Sequence, residues 1–202
     1  MPLTQLPFQW NRHFVPEENS SDCVPACVAM CARMWNDTGL ITVPTETNQW
    51  AQYFEKLGIH SHRGTNVSLI TNAMKKIKKQ KPHFALNLYY PVHISDLTKL
   101  LETNPVFPLI LTYDRRMVEH NAIGVHHASL FHSFDSQREK IFVIDPASPY
   151  RTTPIPYDQT DFFRGWEETG KEIIIPHPSN IRVPINMRHK VNHLQLETYS
   201  KK

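Results

Sequence analysis

The chain is expected to fold as a single α+β domain, and three observations predict this. Apolar positions at helical spacing dominate about the first hundred residues, period-two alternation takes over from Phe107, and no internal repeat divides the 202 residues. That length can bury a core without disulfides or metals as staples. A hydrophobic content of 40% and a charged content of 20% are ordinary for a globular protein.

The elements follow in order. Residues 1–18 carry prolines at 2, 7 and 16 and aromatics at Phe8, Trp10 and Phe14, and read as an irregular arm lying across the domain. Asp22 is placed to N-cap a helix over Val24–Trp35, with Pro25 in the first turn, where its missing N–H costs nothing. Asn36-Asp37-Thr38-Gly39 stops it. A second helix follows Pro44-Thr45-Glu46-Thr47 through Trp50, Ala51, Phe54 and Leu57 to Gly58. Gly64-Thr65-Asn66 opens a third, with Leu69, Ile70, Ala73, Met74 and Ile77 on one face. A short strand over Phe84–Tyr90 and a helix from His93-Ile94-Ser95-Asp96-Leu97 to Asn104-Pro105 come next.

Strands are then expected at Phe107–Tyr113, His126–Phe134 and Lys140–Ile144, the last two joined by the polar connection Asp135–Glu139. A short helix over Tyr157–Trp166 and a closing strand over Glu172–Ile175 complete the domain, which should span residues 1–180. Residues 181–202 are polar, with one proline and several basic residues, and read as an extension or tail.

Charge and cysteine usage exclude several classes of function. A formal net charge of +3 gives no reason to expect a nucleic-acid partner. The basic run Lys75-Lys76-Ile77-Lys78-Lys79-Gln80-Lys81 reads as a solvated helix end, where lysines favour the negative end of the dipole. The three cysteines lie at 23, 27 and 31 on one helix, a spacing that cannot form a disulfide framework, so a reducing compartment is expected. One straight helix cannot wrap three thiolates around a metal ion in tetrahedral geometry, and no metal or cofactor is expected. Met1–Pro7 lacks the pattern of a signal peptide, and no run approaches the ~20 apolar residues of a membrane helix. The expectation is a cytoplasmic protein with no membrane partner.

Cys23 stands where the polar stretch Asn19-Ser20-Ser21-Asp22 turns into an apolar helix. Unpaired N–H groups and a partial positive charge at a helix start stabilise a thiolate, the form in which cysteine is a nucleophile. Cys27 and Cys31, one and two turns further along, read as small apolar core residues. A nucleophilic thiol needs an imidazole base, and His126 and His127 are candidates. Adjacent strand residues point to opposite faces, so only one of them can serve. His132 shares a face with His126. Asp145 ends the strand before Pro146, where a carboxylate could orient an imidazole or simply initiate a turn.

Order and wording of these segments resemble the C39 peptidases and their C39-like relatives, which have the papain-like cysteine peptidase fold. Asp22-Cys23-Val24-Pro25-Ala26-Cys27 is similar to the family's Asp-Cys-Gly-Pro-Ala helix start, and Gly64-Thr65 to its Gly-Thr/Ser loop. His127-Ala128-Ser129-Leu130-Phe131-His132-Ser133-Phe134-Asp135 resembles its strand His-x-Val-Val-x-x-Gly-Tyr-Asp, which selects His127 over His126. Val143-Ile144-Asp145-Pro146-Ala147 resembles its Asp-Pro ending, and Phe162-Phe163-Arg164-Gly165-Trp166 its closing helix. The resemblance spans roughly residues 10–177. It implies a nucleophile helix packed on a mainly antiparallel sheet, with Cys23 as nucleophile, His127 as base and then acid, and Asp145 orienting the histidine. The implied reaction is peptide-bond hydrolysis through a thioester acyl-enzyme, on a peptide or protein substrate.

Two positions depart from the family pattern. The Gln that donates to the oxyanion, six residues before the cysteine, is Glu17 here. An ionised carboxylate only accepts hydrogen bonds, so it would repel the developing negative charge; Asn19 offers a substitute amide nearby. Val24 stands where the family prefers Gly. Alternatives to an active peptidase are a catalytically impaired relative that binds a peptide or protein in its cleft, and an acyl transferase that delivers the acyl group to an amine.

Overall fold

A computed structural model describes residues 4–5, 7–77, 84–90, 92–103, 107–119, 122, 126–148, 153–181 and 183. The element order is β1 (Thr4–Gln5), α1 (Trp10–His13), α2 (Cys23–Asp37), α3 (Thr47–Lys56), β2 (His60–Ser61), β3 (Gly64–Thr65), α4 (Val67–Ile77), β4 (Phe84–Tyr89), α5 (Ile94–Thr103) and β5 (Ile110–Asp114). A 3-10 turn over Arg115–Met117 leads to β6 (His126–Asp135), β7 (Lys140–Ile144), β8 (Ile155–Asp158), α6 (Gln159–Glu168) and β9 (Ile173–Pro178).

The α+β class holds: helices gather in the N-terminal half and cover a sheet whose described pairings are all antiparallel. Its order is β4-β9-β5-β6-β7-β8, with β1 pairing β6 at Phe134 and Ser133. Apolar layers cover both sheet faces, which is why the strand sequences are nearly continuous in hydrophobic residues. Ile110, Leu130, Ile144 and Ile174 pack with α2, α3 and α4. Leu111, Phe131, Val143 and Ile175 belong to the other layer, with Phe162 and Trp166 of α6.

Several expectations are corrected. The arm 1–18 is not devoid of elements: β1 pairs with β6, and α1 forms one turn. Gly64-Thr65 does not open the third helix but pairs with His60-Ser61 as a two-stranded ribbon, and the helix starts at Val67. Tyr157 lies in β8, ahead of a helix that starts at Gln159. Pro156 hid this strand from the sequence; it is tolerated because β8 is the last strand of the sheet order. The strand expected from Phe107 begins at Ile110. The closing strand reaches Pro178 and lies between β4 and β5. β5 pairs with it only at Ile173 and Ile174, so both prolines fall where only β4 lies beside it. The tail beyond residue 183 and Lys78–Lys81 of the basic run lie outside the described residues.

α6 meets the end of β5 at Gly165. A Cβ there would stand 2.7 Å from the Asp114 carbonyl oxygen and 3.2 Å from Met117 Cβ. Alanine would gain ~1 kcal/mol of helix propensity, but backbone oxygen cannot move aside as a side chain can, and overpacking costs ~1–3 kcal/mol. Gly165→Ala is therefore expected to lower the thermal midpoint by a few degrees; an unchanged or raised midpoint in a melting experiment would refute the close contact.

Candidate active site

The middle of α2 is apolar on every side and enclosed: Ala26, Cys27, Val28, Ala29, Met30, Cys31 and Ala32 have no exposed surface. Its second turn is tied to β6 by the Cys27 thiol, which donates to the Ala128 carbonyl at 3.5 Å. Burial pushes the Cys27 and Cys31 thiols well up, so both stay protonated, in line with the core role expected of them. Cys23 alone of the three is partly exposed, at the helix start.

β6 begins beside this helix start. Register pairs Tyr113 with His127 and Asp114 with His126. His126 is exposed and His127 buried, the opposite orientations that adjacent strand residues require. His127 Nε2 donates to Asp145 Oδ1 at 2.7 Å, which leaves Nδ1 as the ring nitrogen available to Cys23. The Tyr113 ring meets the imidazole edge-on, with centroids 5.8 Å apart. Cys23, His127 and Asp145 thus come together; His132 is not among these partners.

Asp145 follows β7 and is enclosed. Its Oδ1 also accepts from the Ala147 N–H at 2.8 Å. Its Oδ2 has no hydrogen-bond partner among the described residues, but Arg115 Nη2 stands 3.5 Å away. Arg115 is held in turn by Glu119, at 2.8 Å, and Glu119 accepts from the Tyr157 hydroxyl. Sequence reasoning missed Arg115 and Glu119. Their i,i+4 spacing signalled an ion pair, but not its target.

Glu17 stands in the same electrostatic environment. Its N–H donates to the Pro146 carbonyl at 3.1 Å, and its Oε2 is buried without a hydrogen-bond partner among the described residues. Burial raises its pKa, as do Asp145 and Asp22, against the opposing pull of His127 and Arg115. Asn19, the expected substitute donor, has its amide directed to Asp22 Oδ2 at 2.8 Å. Asp22 sits at the N-cap position, yet its side chain makes no capping bond: it turns to His60. Val24 is buried in the core layer beneath the helix start.

A cleft of about 680 Å³ opens over Cys23 and His127. Ser20, Ser21 and Arg63–Ser68 line one part of it, and Thr112, His126, Glu168, Thr169 and Glu172 another. Among the described residues no cluster of side chains could hold a metal ion, and no helix is long and apolar enough to cross a membrane.

Burial alone would push His127 down, but the hydrogen bonds to Asp145 and Cys23 and their charges hold it up at about 10. Asp145 is held below its ordinary value: burial would raise it, but His127, the Ala147 N–H and Arg115 outweigh that. A raised histidine stabilises the fold fully below its unfolded pKa of 6.5 and loses this contribution as pH rises towards about 10. A lowered carboxylate contributes above its unfolded value, about 3.9, and loses this as pH falls. The pair is therefore expected to stabilise the fold most between about pH 4 and 6.5. Denaturant midpoints across pH should decline between 6.5 and about 10 in the parent and be flatter in His127→Gln; parallel profiles would contradict the ion pair.

Comparison with known proteins agrees with this architecture. A family model described as the Peptidase_C39 like family matches residues 4–174. Among solved structures, a protein of Bacillus anthracis described as a C39-like peptidase is similar at a TM-score of 0.51 and 15% identity, over 84% of this chain and 96% of that one. The peptidase domain of Streptococcus ComA, a bifunctional ABC transporter of a quorum-sensing pathway, matches at a TM-score of 0.48 and 20% identity, over 81% and 96%. No curated protein sequence matches. The family match takes in every residue that lines the cleft, and on that match the chain belongs to the Peptidase_C39 like family, with the papain-like fold of those peptidases and a peptidase-type function.

Proposed function

We propose that this chain is a cysteine peptidase that hydrolyses a peptide bond through Cys23, His127 and Asp145. The observation that carries the reading is the arrangement of His127, which donates to Asp145 through Nε2 and meets Cys23 on its other side, at the floor of the cleft. An imidazolium beside the thiol supplies the positive charge that a cysteine nucleophile needs. The thiolate attacks the scissile carbonyl, the imidazolium gives its proton to the departing amine, and a thioester forms. Water, deprotonated by His127, then releases the acid and regenerates the thiol. The Asp145 carboxylate, backed by Arg115, keeps the ring oriented and stabilises its charged form.

The oxyanion requires donors. The Cys23 N–H at the α2 start is one. Glu17 supplies the second as an uncharged acid, because a protonated carboxyl donates where the ionised one only accepts. Its burial favours this form. The substrate is a peptide or protein chain laid along the cleft, and the domain that acts on it comprises residues 1–180.

A diverse peptide mixture is expected to yield cleavage products with the parent and none with Cys23→Ala, whereas Cys31→Ala still cleaves; products that persist in Cys23→Ala would overturn the proposal. Iodoacetamide should modify Cys23 at least ~10-fold faster than the enclosed Cys27 and Cys31.

The Glu17 role carries its own prediction. Ionisation, above its ordinary 4.5, converts a donor into a repelling charge, so the rate of Cys23 acylation by 4-nitrophenyl acetate should decline with pH relative to Glu17→Gln. At pH 8 that variant should be faster by about tenfold, a fraction of the ~10²–10³ that one oxyanion donor typically contributes. Equal rates at every pH would remove Glu17 from the oxyanion site, and with an inert Cys23 would favour the binding-only alternative.

A further inference from the structure

A second carboxylate–imidazole pair is buried directly beneath the nucleophile. Asp22 and His60 have side chains only 3% and 2% exposed, and His60 Nε2 lies 3.0 Å from Asp22 Oδ1. His60 Nδ1 is 2.8 Å from the Thr65 hydroxyl, on the segment that lines the cleft. The other carboxylate oxygen of Asp22 accepts from the Asn19 N–H at 3.1 Å and from the Asn19 amide at 2.8 Å. The Asp22 backbone is tied at both ends as well: its N–H donates to Asn19 O at 2.9 Å, and its carbonyl accepts from the Ala26 N–H at 2.9 Å.

We propose that His60 is a positioning residue, which acts through Asp22 to keep the Cys23 N–H directed at the oxyanion and free of a competing acceptor. This rests on the peptidase reading above. The Asp22 carbonyl and the Cys23 N–H share one planar peptide unit. Because the carbonyl points along α2 to Ala26, the trans N–H points the opposite way, out of the helix start. Cys23 is the first helical residue, so its N–H has no acceptor within the helix. An aspartate at the N-cap position ordinarily folds its carboxylate over the first-turn N–H groups. That would set a negative charge where the reaction develops another. Here His60 holds the carboxylate away from them, and Asp22 makes no capping bond.

Two reactions of Cys23 separate positioning from mere stability. Alkylation by iodoacetamide displaces iodide and creates no oxyanion, whereas acylation by 4-nitrophenyl acetate passes through one. In His60→Leu, acylation is expected to fall by about 10- to 100-fold, while alkylation stays within about twofold, since the thiol and His127 are untouched. His60→Gln, whose amide N–H can replace Nε2–H, should restore most of the acylation rate. Should His60→Leu not fold, His60→Asn, which is polar but too short to reach Asp22, tests the same loss. Parallel loss of both reactions, or loss of neither, overturns the positioning role. A parent protein whose Cys23 is inert to both reagents instead refutes the peptidase reading on which this role depends.

Discussion

Everything at the site depends on one constraint, the enclosure of the middle of α2 against the sheet. A helix with no exposed surface from Ala26 to Ala32 cannot shift or rotate without opening a cavity, and losses of that kind cost several kcal/mol. The Cys27 thiol adds a directional tie to Ala128, the residue next to His127. The helix start and the beginning of β6 are therefore fixed relative to each other by the core, not by the reactive groups themselves. The register of β6 matters equally. A slip of one residue would bring His126 opposite Tyr113 and send His127 to the exposed side.

Around Cys23 stand three carboxylates, and each meets its burial differently. Asp145 is balanced by His127 and by Arg115, and its pKa is depressed. Asp22 is balanced by His60 and by the Asn19 donors. Glu17 has no ion-pair partner of its own, and its buried oxygen has no hydrogen bond among the described residues. An unpaired buried charge costs several kcal/mol, and taking up a proton is the ordinary escape. The upward shift of Glu17 comes first from its burial, with the neighbouring Asp145 and Asp22 adding to it against the pull of His127 and Arg115.

Much of this was legible in the sequence. Helical spacing identified α2 and α3, the change to period two marked the sheet, and the turn from polar loop to apolar helix singled out Cys23. His127 was legible only as one of two neighbours until the motif around it was compared with a family. The remainder was hidden for physical reasons. Asp22 and His60 are 38 residues apart and meet only because the β2–β3 ribbon folds back under the helix start. A polar residue ahead of an apolar helix is indistinguishable, in sequence, from an ordinary cap. Arg115 joins Asp145 from a separate strand end, and nothing local announces that contact. Continuous apolar stretches such as Ile173–Ile175 mark a strand buried on both faces without revealing its place in the sheet order.

The two departures from the family pattern differ in their surroundings. Val24 puts its branched side chain into the core layer, and Cys23 beside it keeps part of its surface exposed. Val24 also borders the cleft beside Cys23, so its bulk is shared between the core layer and the wall of the cleft. Glu17, in contrast, lies within the electrostatic reach of His127, Asp145, Arg115 and Asp22. Its backbone is anchored to Pro146, the residue after Asp145, by the N–H bond to that carbonyl. On the proposed reading, the difference between a competent oxyanion site and a repelling one comes down to whether Glu17 carries a proton. Burial of its Oε2, which raises its pKa, tilts that balance towards the neutral acid.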